Sequence, residues 1–199
     1  MSGPRRRLRV PEVIQTSAMD CGPAALAALL AGFDVPANYS HLRDVCQTDV
    51  DGTSIDTLED VACACGLDAE QIILPLDHLV RPEARALPCI AVVTLPGGAT
   101  HFVVVWRRVK GWVQVMDPGR GRMWRPLSQL GRELYIHSQA VPAEDFVAWF
   151  GGEESVAIQH GRLCDLGVDP RSAAELTASA AESGDWRACA RLDGAVRAV

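Results

Sequence analysis

The sequence predicts an α+β fold in which N-terminal helices pack on an antiparallel β-sheet, followed by a helical appendage. Three observations lead there. Helical spacing dominates up to about residue 65, β-branched runs broken by glycine and proline fill roughly 69–127, and beyond about 150 the chain turns rich in alanine, arginine and acids. Helices first and strands afterwards favour a sheet covered on one side by the earlier helices.

The elements follow in order. Residues 1–9, with "PRRRLR", read as a flexible basic arm, and "VPEVIQ" after it is extended. A helix starts near Cys21, where Pro23 sits harmlessly in the first turn, and ends at Gly32 as a left-handed cap. "SHLRDVC" at 40–46 is a short helix capped by Ser40. The next spans 54–65, opened by Thr53 and Asp56, with Ile55, Leu58, Ala62 and Cys65 on one face and Gly66 as its stop. Strands are predicted at "EQIIL", "CIAVVTL", "HFVVVW", "WVQVMD" and "RMWRPL". Two or three small helices fill 151–199. The domain reading is an arm at 1–9, a catalytic domain at 10–150 and a helical connection at 151–199.

Composition narrows the function classes. The 199 residues are 48% hydrophobic and 22% charged, as in a soluble globular protein long enough to bury a core. A net charge of −6 argues against a nucleic-acid surface. Lys110, the only lysine, has no glycine frame before it, which removes a phosphate-binding Gly-x-x-x-x-Gly-Lys loop. The seven cysteines are odd in number and scattered, the pattern of reduced cytosolic thiols; Cys63 and Cys65 lack the partners of a zinc site, so no metal or cofactor is expected. No secretory signal opens the chain, and the uncharged stretch 86–106 is split by Pro88 and "PGG" into two strands, not a membrane span.

One stretch carries chemistry. In "QTSAMDCGPAALAALL", Cys21 stands at a helix start, where the helix dipole and free N–H groups favour thiolate. A cysteine so placed also serves simply as a small buried residue. His101 opens one β-run and Asp117 closes another, with 109 as their midpoint in "RRVKG". In a hairpin symmetric about that turn they are cross-strand neighbours, the carboxylate accepting Nδ1–H and leaving the other ring nitrogen for a thiol. The alternative is two residues that merely flank a hairpin. Gln15 supplies an uncharged side-chain donor suited to an oxyanion, beside the Cys21 backbone N–H. Asp20 reads as a helix N-terminal residue and not a base.

These residues reach a family. "QTSAMDCGPAAL", "DGTSIDTLEDVACACGL", "LPCIAVV", "HFVVVW" and "MDPGRGRMW", collinear from about Val10 to Leu130, resemble the bacteriocin-processing cysteine peptidase domains of peptidase-containing ABC transporters. The resemblance implies a papain-like fold and cleavage of a leader peptide after a Gly-Gly or Gly-Ala pair, in the cytosol, coupled to export. By position it makes Cys21 the nucleophile, His101 the base and acid, Asp117 the orienting carboxylate and Gln15 the oxyanion donor. It also implies two partners: a precursor with an amphipathic leader helix, and the membrane and nucleotide-binding parts of a transporter at the inner face of the cell membrane. Tyr39–Leu58 and Ile72–Leu76 are candidates for the leader groove. Two rival readings stay open, a leader-binding module of the same fold that does not cut, and another papain-like acyl-transfer enzyme.

Overall fold

A computed structural model describes residues 6–46 and 52–198. Its central helix is α1 (Cys21–Gly32), apolar on every side and buried from Gly22 to Leu30. Gly32 is its last helical residue and not a left-handed cap; the positive φ, 58°, falls on Asp34. What Gly32 provides is room, since a Cβ there would stand 2.3 Å from Cη2 of the Trp106 indole.

Helix α2 (Tyr39–Val45) is capped by Asn38, whose side chain accepts the His41 N–H at 3.2 Å. Ser40, the expected cap, lies inside the helix, because the extended backbone that a cap requires falls at Asn38. Helix α3 (Ile55–Ala64) starts one residue later than predicted: Ser54 Oγ accepts the Thr57 N–H at 3.1 Å. Leu58 and Ala62 form its buried face while Ile55 is exposed, and Gly66 ends the helix with φ 90°.

Four strands, β1 (Cys89–Thr94), β2 (Thr100–Val109), β3 (Trp112–Asp117) and β4 (Gly121–Pro126), form an antiparallel sheet in the order β1-β2-β3-β4. The fifth predicted strand, "EQIIL", does not form. Ile72 and Ile73 are exposed, and the outer edge of β1 is taken by Leu134 and Tyr135, whose N–H reaches the Val92 carbonyl at 2.9 Å. The β2–β3 turn is Lys110-Gly111, with Lys110 at φ 54°, and the register shifts by one residue between Val105 and Arg107. Such a bulge re-aims the strand beyond it.

Alternation along β2 and β3 serves two cores. Val104, Trp106 and Met116 pack with Leu26, Leu30, Leu42 and Leu58 of the helices. Val103, Val105, Val113 and Val115 pack on the opposite face with Leu79, Val80 and Leu130, the last from α4 (Leu127–Glu133), a helix absent from the sequence reading. Of the segment 1–9, residues 1–5 lie outside the described residues. Arg6 donates to the Trp106 carbonyl and stacks over its ring, and Arg7 binds the Gly32 carbonyl and Asp34.

The chain divides into two units, 1–80 with 86–136, and 81–85 with 137–199. The second unit contains α5 (Ala143–Phe150), α6 (Glu153–Asp165), α7 (Pro170–Glu182) and α8 (Trp186–Arg197). Helix α5 belongs here, and not with the catalytic domain expected to run to 150, because Phe150 is buried with Ala180 and Cys189. A second cluster joins Leu163, Ala173 and Val196, and Arg81 pairs with Asp165 at 2.8 Å. Among the described residues no helix is long and apolar enough to cross a membrane.

Candidate active site

Three of the four residues singled out by the sequence meet at one point. Cys21 is the first residue of α1 and half-buried, so its sulfur sits at the positive end of the helix. His101 lies near the start of β2 and Asp117 at the end of β3, both almost fully buried. The His101 ring bonds the Asp117 carboxylate Oδ1 through Nε2 at 2.8 Å, and it stands near enough to Cys21 to draw that thiol down.

The ring is therefore turned the other way from the expectation. Asp117 binds Nε2, which leaves Nδ1 for the sulfur. The reason lies in the hairpin: Val104 pairs with Met116 and Val105 with Val115, and one further step sets Asp117 opposite Val103. The turn is centred beyond Val109 and the bulge adds a residue, so Asp117 approaches His101 on the diagonal and not directly across.

Asp117 is itself held. The Gly119 N–H donates to its Oδ1 at 2.8 Å, and Arg120 stands 3.9 Å from Oδ2. Burial raises the carboxyl, but the His101 hydrogen bond, the Gly119 amide and the nearby Arg120 charge outweigh it and keep it below the usual carboxylate range. The hydrogen bond to Asp117, then that to Cys21, raises His101 from 6.5 to about 9, against the opposing effect of burial.

The same balance separates Cys21 from Cys46 and Cys89. Burial pushes the Cys46 thiol up to about 11, with Cys65 adding to it, and pushes Cys89 up to about 12. Cys21 also feels burial, yet His101 and the backbone amides of Phe102 and Gly22 overcome it and leave the thiol below its ordinary value. A thiol drawn below its ordinary value, beside an imidazole drawn above its own, favours the thiolate–imidazolium pair. Such a pair attacks carbonyl carbon and then delivers a proton to the leaving group.

Gln15 belongs to the loop ahead of α1. Its N–H donates to the Pro118 carbonyl at 3.0 Å, tying the loop to the residue after Asp117. Its Oε1 is buried without a hydrogen-bond partner. Sequence reasoning missed the part played by Asp20. The Asp20 side chain does not cap α1; it accepts from Thr16 Oγ1 at 2.8 Å and pairs with Arg43 Nε at 2.9 Å. The signal present in the sequence was an acid directly before the cysteine, but its partner on α2 is a long-range contact.

Of the two groove candidates, 47–51 lie outside the described residues. Ile55, Ile72, Ile73 and Leu76 are exposed apolar residues within the two stretches. Gln71 Nε2 donates to Asp56 Oδ1 at 2.8 Å, which ties the segment before the two isoleucines to α3. None of the seven cysteines forms a disulfide, and among the described residues no group of three or more His, Cys, Asp or Glu side chains is placed to hold a metal ion.

The chain is similar to known proteins in sequence and in fold. The profile of the Peptidase C39 family matches residues 9–134. The lactococcin-G-processing and transport ATP-binding protein LagD of Lactococcus lactis subsp. lactis is 26% identical over 61% of this chain, which spans only 17% of LagD. Two solved structures share the fold. One is a double glycine motif protease from an AMS/PCAT transporter in complex with the leader peptide, with TM-score 0.55 at 23% identity over 66% of this chain and 90% of that one. The other is the peptidase domain of Streptococcus ComA, a bi-functional ABC transporter, with TM-score 0.58 at 21% identity over 63% of this chain and 93% of that one.

Proposed function

The chain belongs to the Peptidase C39 family of cysteine peptidases, and from that premise we propose that it is an active endopeptidase that removes a leader peptide after a Gly-Gly pair. The observation that carries this reading is the His101–Asp117 hydrogen bond at 2.8 Å, with Cys21 at the start of α1 close enough to the same imidazole for each to favour the other's charge.

In the proposed cycle the Cys21 thiolate adds to the carbonyl carbon of the second leader glycine, forming a C–S bond. The carbonyl oxygen takes up the displaced electron pair. The Cys21 backbone N–H and the Gln15 side-chain amide donate to that oxyanion. Imidazolium His101 gives its proton to the departing amine, the C–N bond breaks, and the leader remains as a thioester. His101, now neutral, takes a proton from water, whose hydroxide adds to the thioester. Collapse releases the leader carboxylic acid and returns the thiolate–imidazolium pair. Asp117 stays ionised throughout, holding the ring and stabilising its charge.

The leader is proposed to approach as an amphipathic helix, its apolar face on Ile72, Ile73 and neighbouring exposed residues. LagD is described as processing and transporting, and this chain spans 17% of it. We accordingly infer that cleavage is coupled to export by membrane and nucleotide-binding parts of an ABC transporter, on the same polypeptide or a partner, at the inner face of the cell membrane. Residues 151–199 serve in this reading as the connecting segment.

Incubation with a synthetic leader that runs through Gly-Gly into several cargo residues tests the proposal. Mass spectrometry is expected to find one cut after the second glycine, abolished in Cys21→Ala. A wild-type chain that binds the leader and leaves it whole would establish a silent binding module instead. Cleavage of an unrelated amide, with the leader untouched, would establish a different acyl-transfer enzyme.

A further inference from the structure

The carboxylate of Asp20 is 98% buried yet ionised, immediately before the nucleophile. Removing a carboxylate from water is costly, and it is tolerated only where strong partners replace the lost hydration. Asp20 has three. Thr16 Oγ1 donates to Oδ2 at 2.8 Å, Arg43 Nε stands 2.9 Å from the same oxygen, and the Tyr39 hydroxyl lies 3.4 Å from it.

These partners have a common geometry. Arg43 and Tyr39 both belong to α2, whereas Thr16 directly follows Gln15. The Tyr39 hydroxyl also accepts the Thr16 N–H at 3.3 Å. The hydroxyl and the N–H of Thr16 are thus fixed on one cluster centred on Asp20. On its other side Gln15 is pinned through its N–H to Pro118. Since Gln15 Oε1 has no hydrogen-bond partner, the place of this side chain follows from the backbone that carries it.

Neither simpler role suits Asp20. Its side chain makes no capping bond to α1, and the groups that act on the Cys21 sulfur are His101, Phe102 and Gly22. We propose that Asp20 is a positioning residue for the oxyanion site: locked by Arg43 and Tyr39, it holds the Gln15 loop in register with Cys21. The inference rests on the reading of Cys21 and Gln15 given under Proposed function.

Three measurements on the full chain test it. The first is kcat and KM on the Gly-Gly leader peptide. The second is affinity for a leader peptide aldehyde, to whose carbon the thiolate adds while the aldehyde oxygen takes the electron pair and the imidazolium proton. The third is the pH profile of Cys21 alkylation by iodoacetamide, which builds no oxyanion and reports the thiolate alone. Asp20→Asn is expected to lower kcat and aldehyde affinity about tenfold, short of the ~10²–10³-fold of deleting an oxyanion donor, with KM and the alkylation profile unchanged. In a Gln15→Ala background the same substitution is expected to cost less than about twofold, because the group it positions is gone.

Arg43→Gln breaks the pair from its half-exposed side and is expected to show the same pattern more weakly, so the test survives if Asp20→Asn does not fold. Equal losses in both Gln15 backgrounds, an altered alkylation profile, or unchanged kcat and aldehyde affinity would each overturn the assignment. Failure of the wild-type chain to cut the leader, with aldehyde binding intact, overturns the substrate reading alone. In that event the aldehyde ratios still decide on Asp20.

Discussion

Charge placement governs the residue scale. The thiolate–imidazolium pair exists between two limits: below the Cys21 limit the sulfur gains a proton, and above about 9 His101 loses the one needed by the leaving amine. Cleavage is therefore expected to rise on the acid side and to fall as pH passes about 9. Asp117→Asn removes the largest influence holding His101 up, so the alkaline limb moves to lower pH. A less easily charged imidazole also supports the thiolate less, which moves the acid limb upward. A narrower bell with kcat lowered about 10²-fold is the expected result of rate measurements from about pH 5 to about pH 10. An unshifted alkaline limb would mean that Asp117 does not set the titration of His101. Of this site, Cys21, His101 and Asp117 were legible in the sequence because each sits at a recognisable element end. Which ring nitrogen faces the acid was not, since a bulge near Trp106 changes the register without leaving a sequence signature. The Asp20–Arg43 pair was hidden for a related reason: it joins two elements whose approach no local pattern encodes.

Single elements carry two further predictions. Helix α1 meets β2 at Gly32, where an alanine Cβ would overlap three Trp106 ring atoms at 2.3 to 3.0 Å. Alanine favours a helix over glycine by about 1 kcal/mol. Overlap wins, because the indole is fully buried, donates to the Arg7 carbonyl at 3.1 Å and meets Phe33 edge-on. Gly32→Ala is expected to destabilise the protein by about 2 kcal/mol, or roughly 4–8 °C in Tm. An unchanged or raised Tm would show that the indole moves freely. The second concerns the segment around 70–76, where the sequence predicted the strand "EQIIL" and offered Ile72–Leu76 for the leader groove. Exposure of Ile72 and Ile73 points to the substrate. Ile72→Asp with Ile73→Asp is expected to raise KM for the leader by about tenfold with kcat and Tm unchanged, the pattern of lost ground-state binding. Unaltered KM would remove this segment from the groove. The sheet itself was readable because burial on both faces leaves continuous β-branched runs such as Val103-Val104-Val105, bounded by glycine and proline. Helix α4 was not, since seven residues after a proline carry too little periodicity to stand out.

At the scale of the whole molecule, the division of the chain decides what the chemistry requires. Cys21, His101, Asp117, Gln15 and Asp20 all lie in the unit formed by 1–80 and 86–136. That unit has its own two cores, one on each face of the sheet, while the other buries Phe150, Leu163 and Ala173 in clusters of its own. Separate cores are what independent folding needs. A chain ending at Ile136 keeps every group in the proposed cycle and is expected to cut the leader peptide with kcat and KM within about twofold of the full chain. Among the contacts it loses, at 81–85 Arg81 gives up the ion pair with Asp165 and Glu83 its place beside Gly161. Surface ion pairs contribute at most about 1 kcal/mol, too little to unfold a domain with two cores. Circular dichroism melting and leader cleavage on the shortened chain are the measurements. A folded but inactive product would assign 137–199 a part in the chemistry, and a product that does not fold would make the two units one cooperative body.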